Sequence, residues 1–485
     1  MTVIRDLTLA QLLVVEDDAS LLEFECPQTG LPLWPQIRIA FFRMLISDLL
    51  YGTAVTGMTT ARIPAGRAAL TLGRSVLQNL RFRLSGRCRA EVCMMGDGVA
   101  DQWVDGKWFN RLGDHFALAC PKQTLVIADH FEWRWPFPRH HDRIMFHAPQ
   151  QALNSIAGRL MVRDVQRHQA LRLVGIVSQR AQRHLGWSLG ARREHLLVQM
   201  LSLKSASLPS QYRAYQALLR RTRPRLLMIG AGCYGPAAGL IAAAKDEGIV
   251  TAEYQHGAVS AGHDAYNFAP AVRNSSAYRR TLPGHFLGYG TWWNDQINAP
   301  VAKTVIGNPH REARLAQRAG AGASREDILI LSDGIEFALY LELARKIEPG
   351  ATRKGLRVVL RPHPLERTLV ETTHGRSIGK VLIDGNADLY ASLQSAHAVV
   401  SEVSTGLFEA AGVADRIFIW DTPKAGFSYP NHPFQAFTSA ETLMDQLDQS
   451  DSGRLAASAS AAIWAPAWRE NYLEFLRAQN VDCTH

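Results

Sequence analysis

Two kinds of hydrophobic pattern run along the chain, and the change from one to the other divides it. In the second half, short continuous apolar runs alternate with helix-length stretches whose apolar positions recur every three or four residues. Strands are read at 328–331, 356–360, 381–383, 397–400 and 417–420, with helices at 336–347, from Asp388 onward and at 405–411. That alternation predicts a parallel α/β domain. The first half is less regular. Residues 1–60 mix short apolar runs with a turn-rich segment from Cys26 to Pro35. A basic amphipathic helix is expected over 66–83, and strands over 90–95, ended by Gly96-Asp97-Gly98, and over 124–128, ended by Asp129-His130. Residues 151–220 carry mostly helical periodicity, with a break at Leu208-Pro209-Ser210.

A βαβ unit follows: strand 225–229, turn 230–236, helix 237–247 and strand 249–254. Gly230, Gly232 and Gly235 approach a dinucleotide fingerprint. The third glycine comes too early and no acid is placed for a ribose, so a tight strand-end turn is the reading. The domain boundary falls between Gly307-Asn308-Pro309 and Ser324, with a loop-like 319–324. A last amphipathic helix, 464–477, sets Trp468, Tyr472, Phe475 and Leu476 on or near one side. The organisation expected is a first domain over 1–308, a second over 325–460, and a helix in 461–485 that packs back on the first. Two Rossmann-like α/β domains facing across a crevice form the GT-B arrangement, which does not by itself fix function.

Composition narrows this further. The chain has 485 residues, 47% hydrophobic and 20% charged, which is globular and too long for one ordinary domain. No apolar run approaches the roughly 18–20 residues of a membrane span. The first ten residues show no signal-peptide core. Cys26, Cys88, Cys93, Cys120, Cys233 and Cys483 are scattered with no CxxC pair, which argues against a disulfide framework or structural zinc and for a reducing cytoplasm. The formal charge is +9. Much of the excess lies in Arg62, Arg67, Arg74, Arg81, Arg83, Arg87 and Arg89, and again in Arg163, Arg167, Arg172, Arg180, Arg183, Arg192 and Arg193. Arg67, Arg74 and Arg81 share a helix face. These stretches read either as solvated surface or as attraction to anionic lipid or polymer at the inner face of the membrane. With no nucleic-acid-binding signature, no nucleic acid is expected as partner.

The chemistry concentrates at strand ends, where ligands bind in doubly wound sheets. Arg361-Pro362-His363-Pro364 closes one strand of the second half. Ser404-Thr405-Gly406 opens a helix after another. An imidazole and the N–H groups of a helix start both suit a nucleotide phosphate. In the first half, Glu253-Tyr254-Gln255-His256-Gly257 ends a strand.

These three elements, in this order, resemble a group of bacterial surface-polymer transferases: the CDP-glycerol glycerophosphotransferases of teichoic-acid synthesis, the polysialyltransferases and the capsule Kdo transferases. The segments from Gly288 to Trp293 and from Val305 to Pro309 also look like those that close the first domain in such enzymes. The resemblance spans about 225–420. Gln255-His256 departs from the polysialyltransferases, which carry two acids there.

The resemblance implies a GT-B transferase, independent of metal and cofactor. It would move a sugar from a nucleotide-activated donor to a hydroxyl of an oligosaccharide or lipid-linked acceptor, releasing CMP, CDP or UDP. A CMP-activated acidic sugar is the first donor, with CDP-polyols and UDP-sugars next. His256 is the candidate general base, since an ordinary His titrates near 6.5. Glu253 and Asp264 are fallback bases, with Glu253 placed one step too deep in its strand. On the donor side, His363 and Arg361 would meet the leaving phosphate while Pro364 fixes the corner. Ser404, Thr405 and Gly406 would bind phosphate, or serve as an ordinary helix cap. Glu409 would bind ribose hydroxyls, or be a solvated acid. Asp333-Gly334 would contact the donor sugar, or make a turn. Asp97, Asp129 and His130 are strand-end groups that touch an acceptor or are solvated turns. His140-His141-Asp142 is metal-like in composition, but adjacent residues seldom chelate one ion. Two other readings stay open: a UDP-GlcNAc 2-epimerase-type enzyme, which needs several acids facing the sugar, and a non-catalytic polysaccharide assembly factor.

Overall fold

The computed structural model describes residues 6–52, 64–318 and 325–483. Arg62 and the loop expected at 319–324 lie outside them. Seven parallel strands form the first sheet, in the spatial order Ala302–Val305, His285–Gly288, Val250–Tyr254, Leu226–Ile229, Val92–Gly96, Thr124–Ala128 and Ile144–Phe146. Counted along the chain, the first strand lies between the second and the fourth. This is the doubly wound order, and its crevice opens between Val92–Gly96 and Leu226–Ile229. The second sheet repeats it: Ser377–Ile378, Val381–Ile383, Arg357–Arg361, Asp327–Leu331, Ala396–Ser401, Arg416–Trp420 and Gln435–Phe437. Its strands are parallel except the two-residue edge strand, and its crevice opens beside Asp327–Leu331. Leu329 lies opposite both Val359 and Val399, and Ile328 to Leu331 are at most 3% exposed. Burial on both faces is why these strands appear as unbroken apolar runs. The molecule is thus two Rossmann-like domains in a GT-B arrangement.

The first domain departs most from its sequence reading. Ile144–Phe146, His285–Gly288 and Ala302–Val305 are strands with no strong apolar signal, and the last is a partly exposed edge strand. The break expected at Pro209 is absent: one helix runs from Ala191 to Thr222 through it. Around it Ser207 Oγ donates to the Lys204 carbonyl at 3.0 Å and Ser210 Oγ to that of Ser207 at 2.8 Å. The expected helix over 405–411 is a single turn, Gly406–Glu409. The basic helix spans Ala65–Leu84.

Residues 7–51 wrap the first domain. Glu16 and Arg38, 0% and 1% exposed, pair at 2.6 Å inside it. Arg38 also donates to the Asp264 and Asn267 carbonyls, and Glu16 accepts from the Trp34 indole at 2.9 Å and the Ala269 amide at 3.2 Å. The N-terminal segment therefore fixes the chain that follows His256.

The C-terminal helix, Trp468–Ala478, buries Tyr472, Phe475 and Leu476 in the first domain's core. Just before it, Trp464 donates to the Phe408 carbonyl at 2.7 Å and packs on Trp293, bridging the domains. The cysteine reading needs correction. Cys120 and Cys483 form a disulfide, 363 residues apart in sequence, with Cα atoms at 5.3 Å. Spacing could not reveal it, because the fold creates the proximity. Cysteine usage therefore no longer argues for a reducing compartment.

Candidate active site

The strand Val250–Tyr254 delivers Glu253 inward and leaves His256 at its carboxyl end. Glu253 is fully buried and accepts from the Cys233 amide at 2.8 Å and the Tyr266 hydroxyl at 2.6 Å. Burial raises its carboxyl to about 7 against those hydrogen bonds. His256 lies between two phenols, Nδ1 3.5 Å from Tyr266 and Nε2 3.4 Å from Tyr234. Tyr266 gives its proton to Glu253, so its oxygen is free to accept from Nδ1. With Nδ1 protonated, Nε2 is the accepting nitrogen, and the Tyr234 hydroxyl lies within reach of it. Tyr234 also meets His263 Nε2 at 3.0 Å, and His263 Nδ1 lies 3.4 Å from Asp264. A chain of protonatable groups thus runs from Glu253 through His256 to Asp264.

Burial, then the neighbouring His263 and the charges of Arg111 and Arg43, lower His256 to about 4 despite an opposing contribution from the Gly230 backbone. The imidazole is neutral at pH 7, well below the ordinary value expected from sequence. Burial pushes Asp264 up, but its hydrogen bond with His263 and the charges of His263, Arg38 and Arg43 outweigh that and hold it low. It is 6% exposed and lies beside His263. The loop carrying His256 and His263 abuts the second domain: a Cβ on Gly262 would lie 1.9 Å from the Phe427 carbonyl oxygen.

Across the cleft, Asp333, Gly334 and His363 pack together. Gly334 has φ +82°, and a Cβ there would sit 2.7 Å from His363 Nδ1, so glycine is required twice over. His363 Nδ1 accepts from the Leu365 amide at 3.3 Å, which leaves Nε2–H as a donor with no partner among the described residues. Pro364 is exposed in the turn. Burial lowers His363, and Asp333 opposes this. Arg361 does not reach the ligand side. It is 9% exposed and holds Asp384, the Asn386 carbonyl at 2.9 Å and Ser392 at 3.2 Å, so it is a structural ion pair.

Ser404 Oγ accepts from the Gly406 amide at 3.2 Å, a turn contact one residue ahead of the N-cap position, which Thr405 holds without a side-chain cap bond, and Ser404 keeps its own proton to donate. Gly406 itself packs on Leu331. Thr405 is exposed, and its hydroxyl makes no hydrogen bond among the described residues. Glu409 is not solvated: it is half-buried, accepts from Tyr390 and lies 3.9 Å from Arg311.

Several groups here had no sequence signal. Arg111 is exposed, and its charge acts on both His256 and Glu409. Asp333, Glu336 and Glu402 bring carboxylate oxygens within 4.8 Å of one another. The Lys424 ammonium pairs with Glu336 and lies 3.8 Å from Glu402. It supplies a positive charge at the acidic cluster. Burial, then Asp333, raises Glu402 to about 7 against hydrogen bonds from Thr422 and Tyr340. Tyr51, from the N-terminal segment, reaches the same place, with the Lys424 ammonium 5.4 Å from its ring centre. His140 and His141 do not converge: His140 Nε2 meets the Val104 carbonyl at 2.9 Å and His141 Nε2 that of Thr124 at 3.1 Å.

The first-domain crevice is a cavity of about 710 Å³, lined by Asp97, Asp129, His147, Tyr215, Ala231 and Tyr234 among others. Lys204 and Tyr234 are shared with an adjoining cavity of about 510 Å³, which holds Arg43 and Arg193. Asp129 accepts from Gln151 at 3.1 Å and meets His147 at 3.0 Å, while His130 is taken up by Ser75 at 2.8 Å. Asp97 and Asp129 thus belong to the cavity, and His130 is structural.

No protein-family model matches the chain, and no curated protein matches it. Solved structures do. Staphylococcus aureus MnaA with UDP superposes at TM-score 0.45 and 8% identity, over 81% of this chain and 98% of that one. The Neisseria meningitidis UDP-GlcNAc 2-epimerase bound to UDP-GlcNAc gives 0.41 and 10%, over 80% and 98%. The spinosyn rhamnosyltransferase SpnG with thymidine diphosphate gives 0.39 and 12%, over 80% and 96%. The fold assignment rests on the two sheets themselves.

Proposed function

We propose that the protein is a glycosyltransferase that uses a nucleotide-activated sugar. The donor's nucleotide lies on the second domain, and a hydroxyl of a surface-polysaccharide or glycolipid acceptor lies in the first-domain cavity. The observation that carries this reading is the position of His256. It is a neutral imidazole whose partner Tyr234 also lines the large cavity, on a loop that abuts the second domain. The acceptor hydroxyl gives its proton to His256 Nε2 as its oxygen bonds to the anomeric carbon. The nucleotide leaves with the bonding electrons on its phosphate oxygen. His363 Nε2–H, the Thr405 hydroxyl and Arg111 meet that charge. A CMP-activated acidic sugar stays ahead of a CDP-polyol or a UDP-sugar on the motif resemblance, while Arg43 and Lys204 beside Tyr234 would suit an acidic group on the acceptor.

A UDP-GlcNAc 2-epimerase-type activity is the second reading. Asp97 and Asp129 line the first-domain cavity and Glu253 lies behind it, and most of the similar structures named above are such enzymes or carry UDP. One experiment separates the two. CMP, CDP, UDP and GDP are screened by thermal shift, where a ligand at 100 times its Kd adds about 2.7 kcal/mol. The matching nucleotide sugar is then incubated with and without acceptor. Transfer releases free nucleotide in step with acceptor. A new sugar configuration with the nucleotide still attached, and no acceptor needed, would establish the epimerase instead.

A further inference from the structure

The helix Ala65–Leu84 is inside out. Its buried residues are Thr71, Ser75, Asn79 and Phe82. Thr71 donates to the Trp133 carbonyl at 2.8 Å, Ser75 meets His130 at 2.8 Å, and Asn79 donates to the Phe146 carbonyl at 2.8 Å. Its leucines face outward instead: Leu70 is 56% exposed, Leu77 and Leu80 48%, and Leu84 86%. The adjoining helix Ala148–Met161 does the same. It buries Ala148, Asn154 and Gly158 and exposes Leu153, Ile156, Leu160 and Met161 at 62%, 54%, 81% and 50%. Between the two helices runs a groove of about 470 Å³ with Val76, Leu80, Met145, Leu153 and Leu218 in its walls. An apolar face of this extent on a folded domain marks an interaction surface.

Charge identifies the occupant. Neither helix contains an aspartate or a glutamate. Arg67, Arg74, Arg81, Arg83 and Arg159 are exposed on them and form no ion pair among the described residues. The arginine stripe at 67, 74 and 81 runs beside the leucine stripe at 70, 77 and 84, one turn away. A second copy would set arginines against arginines across a two-fold axis, which is repulsive. Leucines flanked by arginines on a helix of low overall hydrophobicity suit the interface of an anionic bilayer. No helix among the described residues is long and apolar enough to cross a membrane. Attachment through such a face needs no span.

We infer that this two-helix face docks on an anionic phospholipid bilayer, its leucines at the headgroup–acyl boundary and its arginines on lipid phosphates. The inference is independent of the transfer chemistry, although the groove shares His147 and Tyr215 with the large first-domain cavity. A lipid-borne acceptor would therefore meet the protein beside its catalytic loop.

The test is co-sedimentation of the full chain with vesicles of phosphatidylglycerol and phosphatidylcholine, against phosphatidylcholine alone, at low salt. Binding to the anionic vesicles is expected, with a fall of about tenfold or more for Arg74→Glu combined with Arg81→Glu, and weakening by added salt. Leu77→Glu combined with Leu153→Glu should reduce binding comparably. Both pairs are exposed, so thermal unfolding should stay at the parent value and show that the variants fold. A Leu77→Trp variant should show blue-shifted fluorescence on anionic vesicles, reading insertion directly. Equal co-sedimentation of parent and variants, or equal binding to neutral vesicles, would overturn the inference. So would a dimer or an acidic protein complex lost in the same variants with no vesicle binding.

Discussion

The two domains share one strand order and carry different chemistry at their strand ends. In the first, Glu253, Tyr266, His256, Tyr234, His263 and Asp264 touch in series, half of them buried and all occupied with one another. In the second, His363 and Thr405 keep donors with no partner among the described residues. A closed chain of titratable groups is suited to accept and hold a proton. Spare donors at strand ends are suited to hold an anion. Transfer from a nucleotide needs both, one on each side of the bond that breaks. The same backbone therefore serves two tasks, and substitutions should separate them.

The largest separation is expected at His256. His256→Ala should lower turnover by about 10²–10⁴ while leaving nucleotide affinity within error. Calorimetry with the cognate nucleotide, beside turnover, reads both quantities. A matching loss of nucleotide affinity would erase the distinction between the domains. The pH profile sharpens the point. With His256 near 4 in the free protein, the acid limb of kcat/KM should lie well below 6.5 and vanish in the variant.

Next comes the scaffold. The first-domain chain leans on the buried Glu16–Arg38 pair, which ties the N-terminal segment to residues 264–269. Removing one member of a buried pair leaves the other uncompensated, so Arg38→Leu should cost about 3–5 kcal/mol in denaturant unfolding. Glu16→Gln with Arg38→Met should recover part of that loss. If the single variant unfolds like the parent, residues 7–51 are ornament and not frame.

This dependence also explains what could be foreseen. The second domain was legible because Ile328 to Leu331 and Ala398 to Val400 are buried on both faces and must be apolar throughout. His256, His363 and Ser404 were legible as strand-end groups. Arg111 and Tyr234 were not, because what places them is contact between distant segments. The helix through Pro209 and the Cys120–Cys483 pair were misjudged for a related reason: local rules were overridden by packing. Arg361 shows the converse. A charge beside a ligand-type motif was instead consumed by Asp384, a partner 23 residues away.

A smaller effect should appear in stability against pH. Glu253 is raised to about 7, above its unfolded value, so the folded state holds a proton that the unfolded state has released. Its contribution is full below the unfolded value, near 4.3, and is lost as pH rises through 7. His256 runs the other way. Its folded value is depressed, so its contribution is full above about 6.5 and is lost as pH falls toward 4. Glu253→Gln should therefore remove a decline in stability between pH 5 and 7, in about the window where His256→Gln removes a rise. Parallel changes in the two variants would mean that the pair does not titrate as described.

The finest distinction lies within the second domain. Ser404 Oγ accepts from the Gly406 amide and so holds the turn that starts there, while the Thr405 hydroxyl at the N-cap position makes no hydrogen bond among the described residues. Ser404→Ala should therefore lose that hydrogen bond as well as any phosphate contact, lowering stability by about 1 kcal/mol. Thr405→Val should leave stability unchanged. Both should weaken nucleotide binding, by about 1–1.5 kcal/mol each for a single hydrogen bond. His363→Ala should cost about 1.5–3 kcal/mol if its Nε2–H meets a charged oxygen. Turnover at saturating donor should fall far less than in His256→Ala. Should Thr405→Val bind nucleotide as the parent does while Ser404→Ala loses both stability and affinity, the affinity loss would follow from the displaced turn. The anion would then be held by backbone amides and His363, with no hydroxyl contact from either residue.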